Sequence, residues 1–141
     1  MRDSLNCCHP LVAIPPGAAV TDNTPLVGNV IDVLGYDCLT FAILIGTLAD
    51  ADATFAMTLE HGNTANLADA AAVPADQLVG TLATAGFTFA DAYKTRKIGY
   101  IGNKRYVRLT VTPTNNSGAA YISALAMQCC AHQEPTPNPP V

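Results

Sequence analysis

The most regular hydrophobic pattern in the chain lies in residues 97–112, which read KIGYIGNKRYVRLTVT. From Lys104 onward, apolar and polar residues alternate, and such a period of two is typical of a half-buried β-strand. One predicted face carries Val107, Leu109 and Val111, and the other carries Lys104, Tyr106, Arg108 and Thr110. Arg105 falls on the apolar face, so it must snorkel, pair with an Asp, or precede the alternation. The pattern predicts a central strand over residues 100–112.

Shorter patterns predict further strands. Residues 38–46 (CLTFAILIG) are almost entirely apolar, as in a central strand that is buried on both faces. Residues 54–61 alternate cleanly between apolar and polar side chains. Other strands are predicted at residues 11–14, 29–34, 76–81 and 119–129. Residues 65–75 are rich in alanine and have helical propensity, which Pro74 limits to a short turn or one helical segment.

Many short strands, frequent turn signals and little helix predict an all-β fold, namely an antiparallel β-sandwich of jelly-roll-like type. We assign residues 28–130 to this domain. Residues 1–27 contain four prolines and predict an extended N-terminal arm, which lies on its own domain or on a neighbour. Residues 131–141 also contain four prolines and predict a flexible tail.

Charge narrows the function. Charged residues make up 13% of the chain, about half the usual share, and the net charge is −4. Six of the seven basic residues lie between Lys94 and Arg108. On the predicted face of Lys104 and Arg108 only Tyr106 offers a stacking ring, and the chain as a whole is acidic, so we expect no nucleic-acid partner. No apolar run approaches the roughly 20 residues that cross a membrane. The first residues lack the apolar core of a secretion signal, so we expect synthesis in a cytoplasm and no membrane partner.

Cysteines occur at both ends, as Cys7-Cys8-His9 and as Cys129-Cys130 followed by His132. If the ends meet, these side chains could hold zinc or form a disulfide. Adjacent cysteines do not easily ligate one metal, and neither end has the C-x2-C spacing of a zinc site. An odd count of five cysteines and a reducing compartment disfavour a disulfide. We predict no metal and no other cofactor, while the state of these cysteines stays open.

The sequence offers no pattern for catalysis. His61 is the sole histidine inside the predicted domain, and its place before Gly62 suggests a surface residue. No nucleophile, base and orienting group occur in a known arrangement, and no glycine loop for phosphate is present. Asp50-Ala-Asp52 lacks the glycine and the downstream Glu of a calcium loop. We predict no catalytic residue and no enzyme activity.

Three segments resemble a known family. Residues 34–37 (LGYD), 54–62 (TFAMTLEHG) and 98–109 (IGYIGNKRYVRL) occur in the order found in small virion structural proteins of tailed bacteriophages and gene-transfer agents. That family has an LGFD-like turn, a strand resembling FTxxLEES, and an IGYxGxKRYVRV segment. The resemblance covers residues 28–128, and the third segment is its most specific part. The double cysteines, the tail and the HG that follows Leu59-Glu60 depart from the family pattern.

The resemblance implies a β-sandwich protein on the outer capsid surface, either a decoration (cement) protein or the base of a head spike. The implied partners are the major capsid protein and further copies of the chain, as a trimer or pentamer, because capsid symmetry sets the number of copies. The implied location is the virion exterior, after synthesis in the host bacterial cytoplasm. Candidate partner contacts are the apolar arm residues Leu11, Val12 and Ile14 and the basic residues Lys104, Arg105 and Arg108.

Two alternatives stay open. One is a head–tail joining protein or tail structural protein of the same virion, built on the same domain. The other is a module that binds a host surface or glycan. Such modules expose clustered aromatic residues, whereas most aromatic residues here fall on predicted core faces, so this alternative is the less favoured one.

Overall fold

Two antiparallel sheets pack face to face in the computed structural model, which describes residues 3–140. The prediction of an all-β sandwich is therefore confirmed. The strands are β1 (His9–Ile14), β2 (Leu26–Val27), β3 (Ile31–Asp32), β4 (Tyr36–Leu48), β5 (Thr54–Gly62), β6 (Ala71–Ala72), β7 (Leu78–Val79), β8 (Phe87–Thr88), β9 (Thr95–Tyr100), β10 (Tyr106–Thr114) and β11 (Ala120–Ala131). One α-helical turn, α1 (Leu82–Ala85), and two 3-10 helices (Ala75–Gln77 and Phe89–Asp91) complete the described elements.

Strand order separates a long-stranded sheet from a more fragmented one. The five-stranded sheet has the order β1-β11-β4-β9-β7. In the second sheet, β10 and β5 form the centre; β2 and β3 pair with the free side of β10, and β6 and β8 pair with the free side of β5. Because period-2 alternation directs every second side chain to one face, the inward residues of both sheets meet in a single apolar core.

The core follows the alternation of the long strands. Phe41 and Ile43 of β4 are fully buried, and so are Val107, Leu109 and Val111 of β10, as their pattern predicts. The core-facing positions of β11 are instead small, namely Ala120, Ala124 and Ala126, with Ile122 between them. The inward face of β11 is therefore less bulky than its outward face.

Residues 97–112 do not form one strand. Their first part belongs to β9 in the five-stranded sheet and their second part to β10 in the second sheet, so the intervening residues 101–105 cross between the sheets. Gly102 permits this crossing, because a Cβ atom there would lie 2.5 Å from both Gln77 Oε1 and the Tyr100 ring. The predicted strand is thus correct for residues 106–112 and wrong at its start.

The predicted N-terminal arm is largely part of the sandwich. β1 pairs with β11 as an edge strand of the five-stranded sheet, and β2 pairs with β10. Pro10 suits this position, since proline has no N–H to donate and within sheets is confined mainly to edge strands. The domain therefore begins at His9 rather than at residue 28.

The tail folds back on the N-terminal segment. Thr136 is buried. Its backbone N–H donates to the Asn6 carbonyl oxygen (2.8 Å), and its hydroxyl donates to the Cys8 carbonyl oxygen (3.0 Å). The His132 N–H donates to the Gly35 carbonyl oxygen (2.9 Å). The tail is thus anchored at these two residues rather than free along its whole length.

The alanine-rich residues 65–75 form turns, which is one of the two predicted alternatives, and not a helical segment. They also contain the short strand β6. The Asp69 carboxylate accepts hydrogen bonds from the Asn63 and Thr64 N–H groups (2.7 and 3.1 Å), and such local bonds compete with a helix. In the described residues, no helix is long and apolar enough to span a membrane.

Candidate interaction surface

The outward face of the five-stranded sheet is apolar. Strand register places Val12, Leu125, Ala42 and Lys97 side by side, and Pro10, Met127, Thr40, Gly99 and Val79 in the next row. Leu44 and Tyr121 extend this surface toward the far end of β4 and β11. We call the residues Val12, Leu44, Val79, Tyr121 and Leu125 the apolar face.

These five side chains are 37% to 58% exposed. Lys97 is the one charged residue in the two rows. Contiguous exposed apolar surface is unusual on soluble proteins and marks sites of interaction. The exposure of Leu44 also corrects the prediction that residues 38–46 are buried on both faces.

The outward face of the second sheet is chemically different. Thr58 stands opposite Thr110, and Glu60 stands opposite Arg108, with their side chains joined at 2.8 Å. Thr54 and Thr112 continue this polar surface, which we call the threonine face. The sandwich therefore presents one apolar and one polar broad side.

A groove of about 690 Å³ adjoins the apolar face. Its walls include Thr40 of β4, Val79 of β7, Gly99 of β9 and Ile101 of the crossing segment. Gly99 keeps the groove open beside Val79, because a Cβ atom at Gly99 would lie 3.0 Å from the Val79 Cβ. Lys97 and Arg96 also line the groove, so an apolar floor meets positive charge there.

The three apolar contact candidates of the predicted arm lie in different surroundings. Ile14 is only 2% exposed, so it belongs to the core of its own domain and is not available to a partner. Leu11 is half-buried and packs against that core. Val12 points outward, and it alone of the three belongs to the apolar face.

Arg105 is held by a specific partner. Its Nε and Nη2 donate to the two carboxylate oxygens of Asp32 at 2.9 and 2.7 Å. This bidentate bond lowers the pKa of Asp32. Arg105 also precedes β10, so it lies outside the alternating strand and does not occupy one of its core-facing positions. Pairing with an Asp and position before the strand together explain the residue, and snorkelling is not needed.

Most of the positive cluster is neutralised within the domain. Arg108 pairs with Glu60, and Asp91 pairs with both Arg96 (2.6 Å) and Lys94 (3.2 Å). Across residues 3–140, Lys97 and Lys104 make no ion pair. Of the three basic contact candidates, Lys104 alone keeps an uncompensated charge.

His61 is buried, contrary to the expected surface position, with 5% of its surface exposed. Its Nδ1 lies 3.0 Å from the Tyr100 hydroxyl. That hydroxyl accepts a bond from the Lys104 N–H (3.0 Å) and donates to the Lys104 carbonyl oxygen (3.2 Å). Burial and then the Lys104 charge lower the pKa of His61. His61 and Tyr100 therefore fasten the segment that crosses between the sheets.

A disulfide joins Cys38 of β4 to Cys130 of β11, with Cα atoms 5.6 Å apart. It does not join the two cysteine pairs at the chain ends, and Cys7, Cys8 and Cys129 are free thiols. Residues 3–140 contain no group of three or more His, Cys, Asp or Glu side chains placed to hold a metal ion.

Two exposed tyrosines flank a glycine at the far end of the five-stranded sheet. The Tyr93 N–H donates to the Gly46 carbonyl oxygen, and a Cβ atom at Gly46 would lie 3.1 Å from the Tyr121 Cβ. Tyr93 is 78% exposed and Tyr121 49% exposed. Sequence alternation does not reveal this pair, because Tyr93 lies outside any strand.

Comparison with known proteins gives weak structural likenesses only. No protein-family model and no curated protein matches the chain. The CBM22-1–GH10 modules of Clostridium thermocellum xylanase 10B, solved with xylohexaose, align at 7% identity and a TM-score of 0.43. This alignment covers 92% of the present chain and 27% of the xylanase chain. The K1 adhesin domain of Porphyromonas gingivalis Lys-gingipain aligns at 13% identity and a TM-score of 0.38, over 86% of this chain and 73% of that one. At these scores neither likeness carries a functional argument.

Proposed function

We propose that this chain is a virion structural protein of a tailed bacteriophage or gene-transfer agent, bound to the outside of the head as a decoration (cement) or head-spike-base subunit. The segment 98–109 and its resemblance to that family motivate the proposal. The observation that carries it is the apolar face, a broad exposed surface with a single charge in its two central rows. A protein that stabilises a shell by adhesion needs such a surface.

The apolar face is the side that meets the capsid. Burying apolar surface contributes about 25 cal/mol per Å², and stable interfaces bury about 1,200–2,000 Å² in total. Lys97 lies at the end of the first row, beside Ala42, and makes no ion pair in the described residues, so it requires an acidic group on the major capsid protein. The threonine face then points to solvent, where its hydroxyl groups remain hydrated.

A symmetric homo-oligomer completes the arrangement. In the described residues β1 has one strand neighbour, β11, and Asn29 donates to the carbonyl oxygens of Val12 and Ala13. The edge of residues 9–11 is therefore the part of β1 that can pair with a second copy. A trimer suits the local three-fold positions of a capsid, and a pentamer suits its vertices. Lys104, half-buried and unpaired, is a further candidate for a polar contact between subunits or to the capsid.

Capsids that lack the protein provide the test. Leu125→Asp places a carboxylate in the middle of the apolar face, and we expect capsid binding to weaken about tenfold or more, since a buried unpaired charge is costly. Thr58→Asp introduces the same carboxylate on the threonine face, and this variant should bind as wild type does. Equal binding by wild type and Leu125→Asp, or none by wild type, would overturn the proposal.

The number of bound copies distinguishes a cement protein from a head-spike base. Saturation at hundreds of copies per particle indicates a cement protein, and tens of copies indicate a spike base. Tens of copies confined to the portal end would favour the alternative of a head–tail joining protein or tail structural protein in the same virion. Each outcome is read from the stoichiometry and position of the protein in electron microscopy of the reconstituted particle.

Glycan binding is a second candidate, favoured by Tyr93 and Tyr121 on either side of Gly46. Sugar rings stack on exposed aromatic side chains, and both tyrosines are exposed. Oligosaccharides from the host surface should then shift the NMR signals of both tyrosines, and Tyr121→Ala should abolish the shifts. Tyr106→Ala, on the second sheet, serves as the control. Unshifted signals at saturating oligosaccharide exclude this candidate.

A further inference from the structure

Cysteines line up across three strands at one end of the five-stranded sheet. Cys129 of β11 stands opposite Cys38 of β4. On the other side of β11, His9 of β1 stands opposite Gln128, so the next antiparallel position places Cys8 opposite Cys129. Cys8, Cys129 and Cys38 thus form a row in which Cys129 has a cysteine on each side.

The existing disulfide leaves Cys129, the middle cysteine of this row, unbonded. Cys38 is bonded to Cys130, the residue after Cys129. Cys130 has a left-handed backbone (φ 55°), which turns its side chain away from the regular strand alternation and toward Cys38. Cys129 therefore remains a thiol although it lies directly opposite Cys38.

Two of the remaining thiols are in contact, and the third belongs to the residue opposite one of them. The thiol groups of Cys7 and Cys8 are 4.0 Å apart. The pKa of Cys8 is raised, mainly by its hydrogen bond with the Cys129 thiol and then by burial. Directly opposed residues in antiparallel strands have Cα atoms about 4.5–5.5 Å apart, and disulfides need about 4.4–6.8 Å. Cys8 and Cys129 meet this requirement by their position alone.

We propose that Cys8 and Cys129 form a second disulfide when the protein passes into an oxidising environment. Together with Cys38–Cys130 it joins β1, β11 and β4 covalently at one end of the sheet. Cys7 is left as the single free thiol. This inference stands on the strand register and is independent of the function proposed above.

The chemistry is a two-step exchange with a disulfide oxidant such as oxidised glutathione. The thiolate of one cysteine attacks the oxidant, forming a mixed disulfide and releasing one glutathione thiolate. The other thiolate then attacks the protein sulfur of the mixed disulfide and releases the second glutathione. Two protein thiols are oxidised, one glutathione disulfide is reduced to two thiols, and the two protons pass to the released thiolates.

The second disulfide acts on the edge strand. β1 is one of the two edge strands of the five-stranded sheet, so it can open without separating the other strands from one another. A bond from Cys8 to β11 fixes the start of β1 in register. The edge can therefore rearrange while Cys8 and Cys129 are reduced, and it becomes fixed once they are oxidised.

Free-thiol counting in denaturant tests the inference, with adjacent cysteines as matched variants. Treatment of folded wild type with oxidised glutathione should reduce the count from three thiols to one, where a cysteine that carries glutathione by intact mass is counted as a thiol. Cys7→Ser should fall from two to none, because Cys8 and Cys129 are intact. Cys8→Ser should keep both of its remaining thiols, Cys7 and Cys129.

Peptide mapping identifies the bonded partners. Trypsin combined with cleavage at aspartate separates residues 3–21, which contain Cys7 and Cys8, from the peptide of Cys38. After oxidation, residues 3–21 should remain joined to residues 109–141, and the Cys8→Ser variant should lose this link. Three thiols in oxidised wild type, or a link that Cys7→Ser abolishes and Cys8→Ser retains, would refute the pairing.

Discussion

At the scale of single residues, polar side chains decide where the strands begin and end. Arg105 is fixed by Asp32 before β10 starts, and His61 reaches the Tyr100 hydroxyl at the end of β9. The alternation places Arg105 at an apolar position, and pairing with an aspartate is one of the predicted explanations. The sequence does not identify that aspartate as Asp32, which lies 73 residues away. His61 is missed because its partner belongs to the other sheet.

Asp69 makes the stability of the protein sensitive to acid. Hydrogen bonds from the Thr64 hydroxyl and from the Asn63 and Thr64 N–H groups lower its pKa to about 2. A folded pKa below the unfolded value means that the stabilisation is complete above about pH 4 and is lost as the pH falls toward 2. Asp69→Asn should therefore be less stable than wild type at pH 7.

Urea unfolding at pH 7, 4 and 2 measures this effect. The difference in unfolding free energy between wild type and Asp69→Asn should shrink between pH 4 and pH 2. Asp76→Asn changes an exposed aspartate of the nearby 3-10 helix and should follow the wild-type acid dependence. A constant difference between wild type and Asp69→Asn at all three pH values would contradict the assignment.

At the scale of elements, local alternation predicts strands well and their sheet membership poorly. β4, β5 and β10 each contain the predicted alternating or apolar run, since side-chain period depends on the strand alone. The division of residues 97–112 between two sheets depends on the crossing at Gly102, which long-range contacts determine. In residues 65–75 the predicted choice between a short turn and a helical segment is decided locally, because the Asp69 hydrogen bonds outweigh the alanine propensity.

Gly102→Ala should disturb the crossing segment. The added Cβ would meet the Tyr100 ring at 2.5 Å, and that ring is held by hydrogen bonds to Lys104 and His61. Overpacking of this kind costs about 1–3 kcal/mol of unfolding free energy. Gly17→Ala adds a methyl group in open surroundings and should change stability by no more than about 1 kcal/mol.

Chemical denaturation of both variants checks this expectation. The NMR signals of His61 in Gly102→Ala add an independent readout, since a displaced Tyr100 changes its environment. Equal stability of the two alanine variants, with unchanged His61 signals, would show that the crossing does not depend on glycine.

At the scale of the whole molecule, the two broad sides of the sandwich differ in a way that hydrophobicity alone does not predict. In β11 the outward residues Tyr121, Leu125 and Met127 are larger than the inward alanines. A strand pattern shows which residues share a face but not which face meets the core. That choice follows from the register with β4, whose Phe41 and Ile43 fill the interior. The fold class was therefore predictable, whereas the apolar face was not.

The fastening of the tail to the N-terminal segment has a practical consequence for anything attached to the chain. Thr136 donates hydrogen bonds to Asn6 and Cys8, so the segment before β1 and the segment after β11 lie together at one pole of the sandwich. A tag, enzyme or fluorophore fused next to either segment would project from that pole. Because the apolar and threonine faces are the broad sides, a cargo there would leave both uncovered.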